Sequence, residues 1–328
     1  DKIEKEKLHW ILEQLKDKGI AGIQLNYCHS DKGGLQYGLT MDSDPRPFTS
    51  EWWELLGWLL EECRKDHMAF SLSDYTLGAP GQGSYMDRVL AGHPEFGGQK
   101  LEWRNGRVEI VKVPYSANPM AKGIGEAVAD EFYGAFERHF PGECGKHINF
   151  FFSDELNFNI RGNLWCEDFR EEFRKRKGYD ITEKWEAIFQ DIGPETPKIR
   201  LDYYDVIVAL SEEAYFKPVY EWHESRGMTF GCDHGGRGQD VTEFGDYFRT
   251  MKWNQGPGND QPRLVSNIIK SKVSASIAHL YHRPRVWLEG FYSSGWQTSC
   301  ADVADAVFRN FGLGHNLLSL HGLYYSTH

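Results

Sequence analysis

Apolar positions along the chain switch repeatedly between two spacings. Over 5–18, Leu8, Ile11, Leu12 and Leu15 recur at helical intervals, Gly19 stops the run, and the apolar stretch 20–27 reads as a strand. The pattern returns at 49–66, where Ser50 is the candidate N-cap and Trp53, Leu56, Leu60 and Cys63 form the apolar face ahead of a strand at 68–72. Further helices are expected over 121–140, 165–177, 197–226, 264–281 and 301–311, and strands over 147–152, 228–232, 286–288 and 316–320. The stretch 240–265 carries at most a weak strand or a loop. Residues 73–115 break the rhythm: the glycine-rich 78–83 is a loop, and 101–103 and 108–113 flank Asn105-Gly106, a strong hairpin signal.

Helix feeding strand, again and again, predicts an α/β fold of the (β/α)8 TIM-barrel type with a hairpin inserted near 101–113. Six strands and one weak one are visible. Because the chain opens on a helix, the missing strand is expected to be the first, ahead of Asp1. Neither a linker nor a repeat of fixed period divides 1–328, which reads as one catalytic domain, an excerpt of a larger multidomain enzyme.

A formal charge of −11 argues against nucleic acid, whose phosphates call for clustered Lys and Arg. No apolar run is long enough to span a bilayer and no signal peptide is visible, so no membrane insertion is expected. Eleven Trp and 16 Tyr supply flat apolar faces with a polar edge, suited to stacking on sugar rings or to filling a core. The six cysteines at 28, 63, 144, 166, 232 and 300 show neither metal spacing nor a disulfide framework and read mostly as buried thiols.

Two runs drive an apolar, β-prone stretch straight into a carboxylate. His147-Ile-Asn-Phe-Phe-Phe-Ser153 leads to Asp154 and Glu155, and Arg285-Val-Trp-Leu leads to Glu289. In a parallel barrel such strand-end groups converge on one mouth, and paired carboxylates across a pocket suit glycoside hydrolysis. Asp154 and Glu155, as strand neighbours, are expected on opposite sides of the strand axis. Glu155 is the candidate acid, with a helix-capping carboxylate as the plainer alternative. Phe291, Tyr292 and Trp296 follow Glu289 as candidate sugar-facing surface. Cys232-Asp233-His234 precedes a Gly-rich turn and reads as hydroxyl ligands, a metal pair, or a turn held by Asp hydrogen bonds. Asp74 and His321, each at a strand end, complete the candidate substrate contacts.

Taken in order, Gly19-Ile-Ala-Gly-Ile-Gln24, Glu51-Trp-Trp-Glu-Leu-Leu56, Phe169-Arg-Glu-Glu-Phe-Arg-Lys-Arg-Lys-Gly-Tyr-Asp180, Ser276-Ile-Ala-His-Leu-Tyr281 and Arg285-Val-Trp-Leu-Glu289 resemble the catalytic barrel of bacterial α-L-rhamnosidases of glycoside hydrolase family 106. The resemblance spans most of the chain. It implies an inverting hydrolase, often calcium-dependent, exported to the periplasm or beyond, with the acid after the fourth strand at Glu155 and the base after the seventh at Glu289. Asp233-His234, the hairpin at Asn105-Gly106 and His321-Gly-Leu-Tyr-Tyr325 depart from the family pattern, which leaves calcium ligands unassigned and puts the exact sugar in question.

The expectation is therefore a barrel that hydrolyses a glycosidic bond in plant or host polysaccharide, α-L-rhamnosides first. Asp74, Asp154, Asp233, His234, Trp296 and His321 would contact a carbohydrate substrate. A retaining enzyme with Glu289 as nucleophile, a barrel that only binds carbohydrate, and a metal-dependent hydrolase built on Asp233, His234 and His321 are the alternatives.

Overall fold

The computed structural model describes residues 2–26, 44–74, 84–156, 158, 160–234, 246–323 and 325, with the backbone alone at 84, 85, 154, 155 and 232–234. Helix α1 (Lys5–Asp17) gives way at Gly19, whose φ of +74° suits a residue without Cβ, and leads to strand β1 (Gly22–Leu25). Helix α2 (Ser50–Lys65) buries Trp52, Leu56, Leu59 and Cys63 and leads to β2 (Ala69–Ser73). Its N-cap is Thr49, not Ser50: Thr49 is extended and its hydroxyl accepts from the Trp52 N–H, whereas Ser50 is already helical.

The glycine-rich stretch 78–83, expected to be a loop, lies outside the described residues, and helix α3 (Ser84–Gly92) follows it. The hairpin follows as β3 (Gly97–Arg104) and β4 (Arg107–Ala117), with Asn105 and Gly106 both at positive φ as a two-residue primed turn requires. Helices α4 (Ile124–Val128) and α5 (Gly134–His139) continue one another through a π-helical turn at Ala129–Tyr133. After β5 (Ile148–Leu156), the short β6 (Leu164–Trp165) pairs with β3, so the helix expected from 165 begins only at α6 (Phe169–Lys177). The long helix expected over 197–226 is α7 (Thr196–Ser211) and α8 (Lys217–Glu224), joined by a second π turn at Glu212–Phe216. The rest of the chain alternates: β7 (Thr229–His234), α9 (Tyr247–Met251), β8 (Gly258–Gln261), α10 (Ile268–Leu280), β9 (Trp287–Gly290), α11 (Cys300–Gly312) and β10 (Leu317–Leu320).

Among the described residues, seven strands run parallel in chain order. One sheet is β1-β2-β5-β7 and the next is β8-β9-β10; the hairpin and β6 form a separate antiparallel sheet. The two parallel sheets approach where the Gly256 N–H donates to the Phe230 carbonyl at 3.1 Å. This is the α/β layout that the pattern predicts, but β1 and β10 are edge strands here and the expected closure is not formed among the described residues.

The inner parallel strands β2, β5, β8 and β9 are largely buried on both faces, while the edge strands β1 and β10 are only partly covered, and period-two alternation separates the two faces. Phe70, Leu72, Phe151 and Phe230 face the helices in a core shared with Trp52, Phe132, Phe136 and Tyr133. Phe150 and Phe152 face the other way and meet Trp287 and Leu317 of the second sheet, with the Phe152 and Trp287 ring centroids 4.2 Å apart. The inner faces of the two sheets thus share one aromatic floor. Glycines make room for it: a Cβ at Gly231 would strike the Phe150 ring, and one at Gly258 would overlap the Trp287 indole. No helix among the described residues is long and apolar enough to cross a membrane.

Candidate active site

The carboxyl ends of the parallel strands carry the candidate chemistry, and parity decides which way each side chain points. In β9, Trp287 lies on the inner floor while Leu288 packs with Phe291 and with Ala306 of α11. Glu289 therefore falls on the inner face, one step above Trp287, and is 6% exposed. Its neighbours in register are Asp260 of β8 and Ser319 of β10.

Asp260 is also buried, and both of its oxygens are engaged. The Lys270 ammonium, from the first turn of α10, donates to Oδ1 at 2.8 Å, and the Tyr292 hydroxyl donates to Oδ2 at 2.8 Å. Removing two opposite charges from water is costly, so such a pair persists only with good geometry and further hydrogen bonds, both present here. The Tyr292 ring lies 5.6 Å from the imidazole of His321, which follows β10. His321 Nε2 is 3.9 Å from Glu289 Oε1, beyond direct hydrogen bonding, and its backbone N–H donates to Gly290 O. Burial lowers the His321 pKa, partly opposed by a backbone hydrogen bond and by the Asp260 charge. A neutral imidazole thus stands beside a buried carboxylate near neutral pH, an arrangement able to receive and pass a proton.

The other expected site residues fall differently. Asp74 is fully buried; parity turns it to the helix side with Leu72, where its Oδ2 accepts from Tyr133 at 3.3 Å. Its side chain thus lies on the helix side of the sheet, away from the inner face that carries Glu289. Trp296 is 99% exposed, so it is a free-standing indole on the loop after β9 and not a cavity wall. Asp154 and Glu155 end β5, and Asp233 and His234 end β7, with Asp154 registered on Asp233; their side chains lie outside the described residues. Two residues, Asp154 to Leu156, span one step of β7, which makes Glu155 the extra residue of a β-bulge. The strict alternation expected for Asp154 and Glu155 is thus interrupted by the backbone itself.

Asp260 and Lys270 were not singled out in the sequence as site residues, whereas Tyr292 was, as sugar-facing surface. Gly258-Asn-Asp-Gln261 has no apolar run, so its stretch reads only as a weak strand or a loop. The available signal was spacing: Gly258, Trp287 and Leu317 open successive strands, each one helix–strand unit after the last, and Asp260 occupies the position in β8 that Glu289 occupies in β9.

Calcium, implied by the family resemblance, finds no match in this cluster. Lys270 already answers the charge of Asp260, and among the described residues no three His, Cys, Asp or Glu side chains come together as ligands. Of the described cysteines, Cys63 and Cys166 are buried, Cys144 half-buried and Cys300 exposed. Burial pushes the thiols of Cys63 and Cys144 up to about 12, which leaves them inert as nucleophiles. A cavity of about 220 Å³ lined by Met120, Lys122, Asp168, Leu210 and Glu213 lies within the helix layer and receives nothing from the strand ends.

No protein-family model matches the chain, and no curated protein sequence does. Among solved structures, a rhamnosidase from Novosphingobium sp. PP1Y is similar with a TM-score of 0.54 and 16% identity, over 70% of this chain and 22% of that one. An endo-beta-1,4-mannanase from Thermotoga petrophila gives a TM-score of 0.45 and 10% identity, over 97% of this chain and 65% of that one. Only the first likeness indicates a common fold, and the chain spans 22% of the length of that rhamnosidase.

Proposed function

We propose that the chain forms the catalytic barrel of an exported glycoside hydrolase, with α-L-rhamnosides as the substrate class and Glu155 and Glu289 as acid and base. The observation that carries this reading is Glu289: a buried carboxylate at a strand end, turned to the inner face above the Phe152–Trp287 floor, with His321 beside it. The bulge at Glu155, at the end of a strand in the facing sheet, supports the second carboxylate position, since bulges commonly re-aim side chains next to active sites. The fold shared with a rhamnosidase supports the substrate class.

In this reading Glu155 protonates the leaving oxygen while Glu289 takes a proton from the water that attacks the opposite face of the sugar, which inverts the anomeric centre. His321 lies where it can steady the Glu289 carboxylate. Asp154, Asp233 and His234 would contact sugar hydroxyls from the ends of β5 and β7, and Trp296 would offer a stacking face outside the mouth. None of these steps draws on a metal.

A panel of aryl glycosides identifies the sugar, and proton NMR of the first-formed anomer gives the stereochemistry. Inversion is expected; a retained anomer would make Glu289 the nucleophile. Glu155→Gln should fail most on poor leaving groups and recover on activated ones, because a good leaving group departs with little protonation. Finding that recovery in Glu289→Gln instead would exchange the two roles.

A further inference from the structure

The loop after β8 and the first turn of α10 enclose an open groove of about 510 Å³, lined by Gln261, Pro262, Val265, Ile268, Ile269 and Lys270. Three of these side chains are large, apolar and more than half exposed: Val265 at 54%, Ile268 at 65% and Ile269 at 62%. The loop that presents them is tightly held. Leu264 packs into the core with Leu288 and Phe291, Arg263 N–H donates to the Tyr292 carbonyl at 2.7 Å, Arg309 donates to the Leu264 carbonyl at 3.0 Å, and Asn267 caps α10 through the Lys270 N–H. A fixed loop that holds three neighbouring apolar side chains in water offers a surface that an apolar ligand can cover.

Three features define the occupant. The groove adjoins the candidate site: Lys270 lines it and also holds Asp260, and Gln261 lies in register with Gly290, next to Glu289. Its one cation is already answered by Asp260, so nothing in the lining calls for a charged ligand. Its volume falls within the range of small-molecule sites, large enough for a fused ring system. We propose that this groove is the leaving-group subsite of the enzyme and takes a neutral, apolar, ring-sized aglycone. The proposal rests on the glycosidase reading for the reaction, but not for the binding.

The experiment compares wild type with Val265→Ser and Ile268→Ser, both at exposed positions outside the acid–base machinery. Methyl and 2-naphthyl α-L-rhamnosides serve as substrates, and 2-naphthol alone is titrated by fluorescence. KM for the naphthyl glycoside should rise roughly tenfold in each variant, the usual scale for losing apolar contact in a pocket, with the methyl glycoside unchanged. The 2-naphthol titration should weaken in parallel. Equal kinetics on both glycosides in all three proteins, or 2-naphthol binding that neither variant alters, would overturn the proposal. Weakened 2-naphthol binding with no turnover of either glycoside would keep the apolar site and sink the glycosidase reading. A wild-type dimer in sedimentation that dissociates in Ile268→Ser would instead make the groove a self-association face and overturn the subsite.

Discussion

Two clusters in this molecule are built from the same residue types on opposite faces of the strands. On the helix side, Tyr133 donates to Asp74 and its ring stands 4.6 Å from the imidazole of His223. On the inner side, Tyr292 donates to Asp260 and its ring stands 5.6 Å from that of His321, with Glu289 alongside. The first cluster is sealed: Asp74, Tyr133 and His223 have no exposed surface. The second opens at His321, whose side chain is 34% exposed. A strand-end carboxylate with a tyrosine and a histidine is thus not evidence of a site by itself. Side-chain parity and access to solvent are what set the two clusters apart.

The largest effect should separate the two carboxylates. Glu289→Gln removes the proposed base and should lower kcat by roughly 10²- to 10⁴-fold with little change in melting temperature. Asp74→Asn keeps an acceptor for Tyr133 and should leave kcat within a few-fold. Normal turnover in Glu289→Gln, or collapse of turnover in a folded Asp74→Asn, would invert the comparison.

Next is the floor on which the inner cluster stands. Trp287→Ala removes the indole that closes over Gly258 and packs at a tilt against Phe152 and should cost about 3–5 kcal/mol in urea unfolding. If the unfolding midpoint barely moved, the inner faces of the two sheets would not share a core.

Much of this fold was legible because its strands are either β-prone apolar runs or are bounded by a helix stop, as at Gly19, or a hairpin turn, as at Asn105-Gly106. The polar strand β8 showed only as a weak strand or loop without bounds, since Gly-Asn-Asp-Gln is stabilised by its neighbours and not by its own propensity. The π turns at Ala129–Tyr133 and Glu212–Phe216 leave the apolar pattern helical and so cannot be read from it. At the site, Glu289 was readable from the strand it ends. Asp74 and Glu289 read alike because the sequence gives the strand end but not its parity: Asp74 stands one residue beyond inward-facing Ser73, where Glu289 stands two beyond inward-facing Trp287. Lys270 was invisible because its partner lies on the strand that the sequence marks most weakly.

The histidines give a pH test of the same contrast. Burial holds His223 at about 3, well below the ordinary 6.5, and His315, before β10, at about 4. The unfolded chain therefore takes up protons first as pH falls. Stability is complete above about 6.5 and should decline toward pH 4 by about 1.4 kcal/mol per pH unit for each histidine once the unfolded chain is protonated. In urea unfolding between pH 7 and 5, His223→Gln should flatten this decline. His321→Gln, on a ring that reaches solvent, should change the slope much less while altering the pH profile of kcat. Equal flattening by both variants would mean that the inner cluster is as sealed as the outer one.

The smallest effect is also the most closely matched, because each cluster turns on one tyrosine hydroxyl. Tyr133→Phe and Tyr292→Phe delete a single oxygen and keep the ring. In the helix layer the lost bond is long at 3.3 Å, but Asp74 is fully buried and water cannot replace the hydroxyl, so a cost of about 1 kcal/mol is expected, with turnover unaffected. Around Asp260 the lost bond is shorter, yet Lys270 still answers the charge, so the loss of stability should be of similar size or less. What differs is the consequence. Without its hydroxyl anchor, the Tyr292 ring can shift against His321, and His321 lies beside Glu289, so kcat should fall several-fold while KM holds. A Tyr133→Phe enzyme that loses turnover at constant melting temperature, beside a Tyr292→Phe enzyme that only loses stability, would place the chemistry on the other face of the strands.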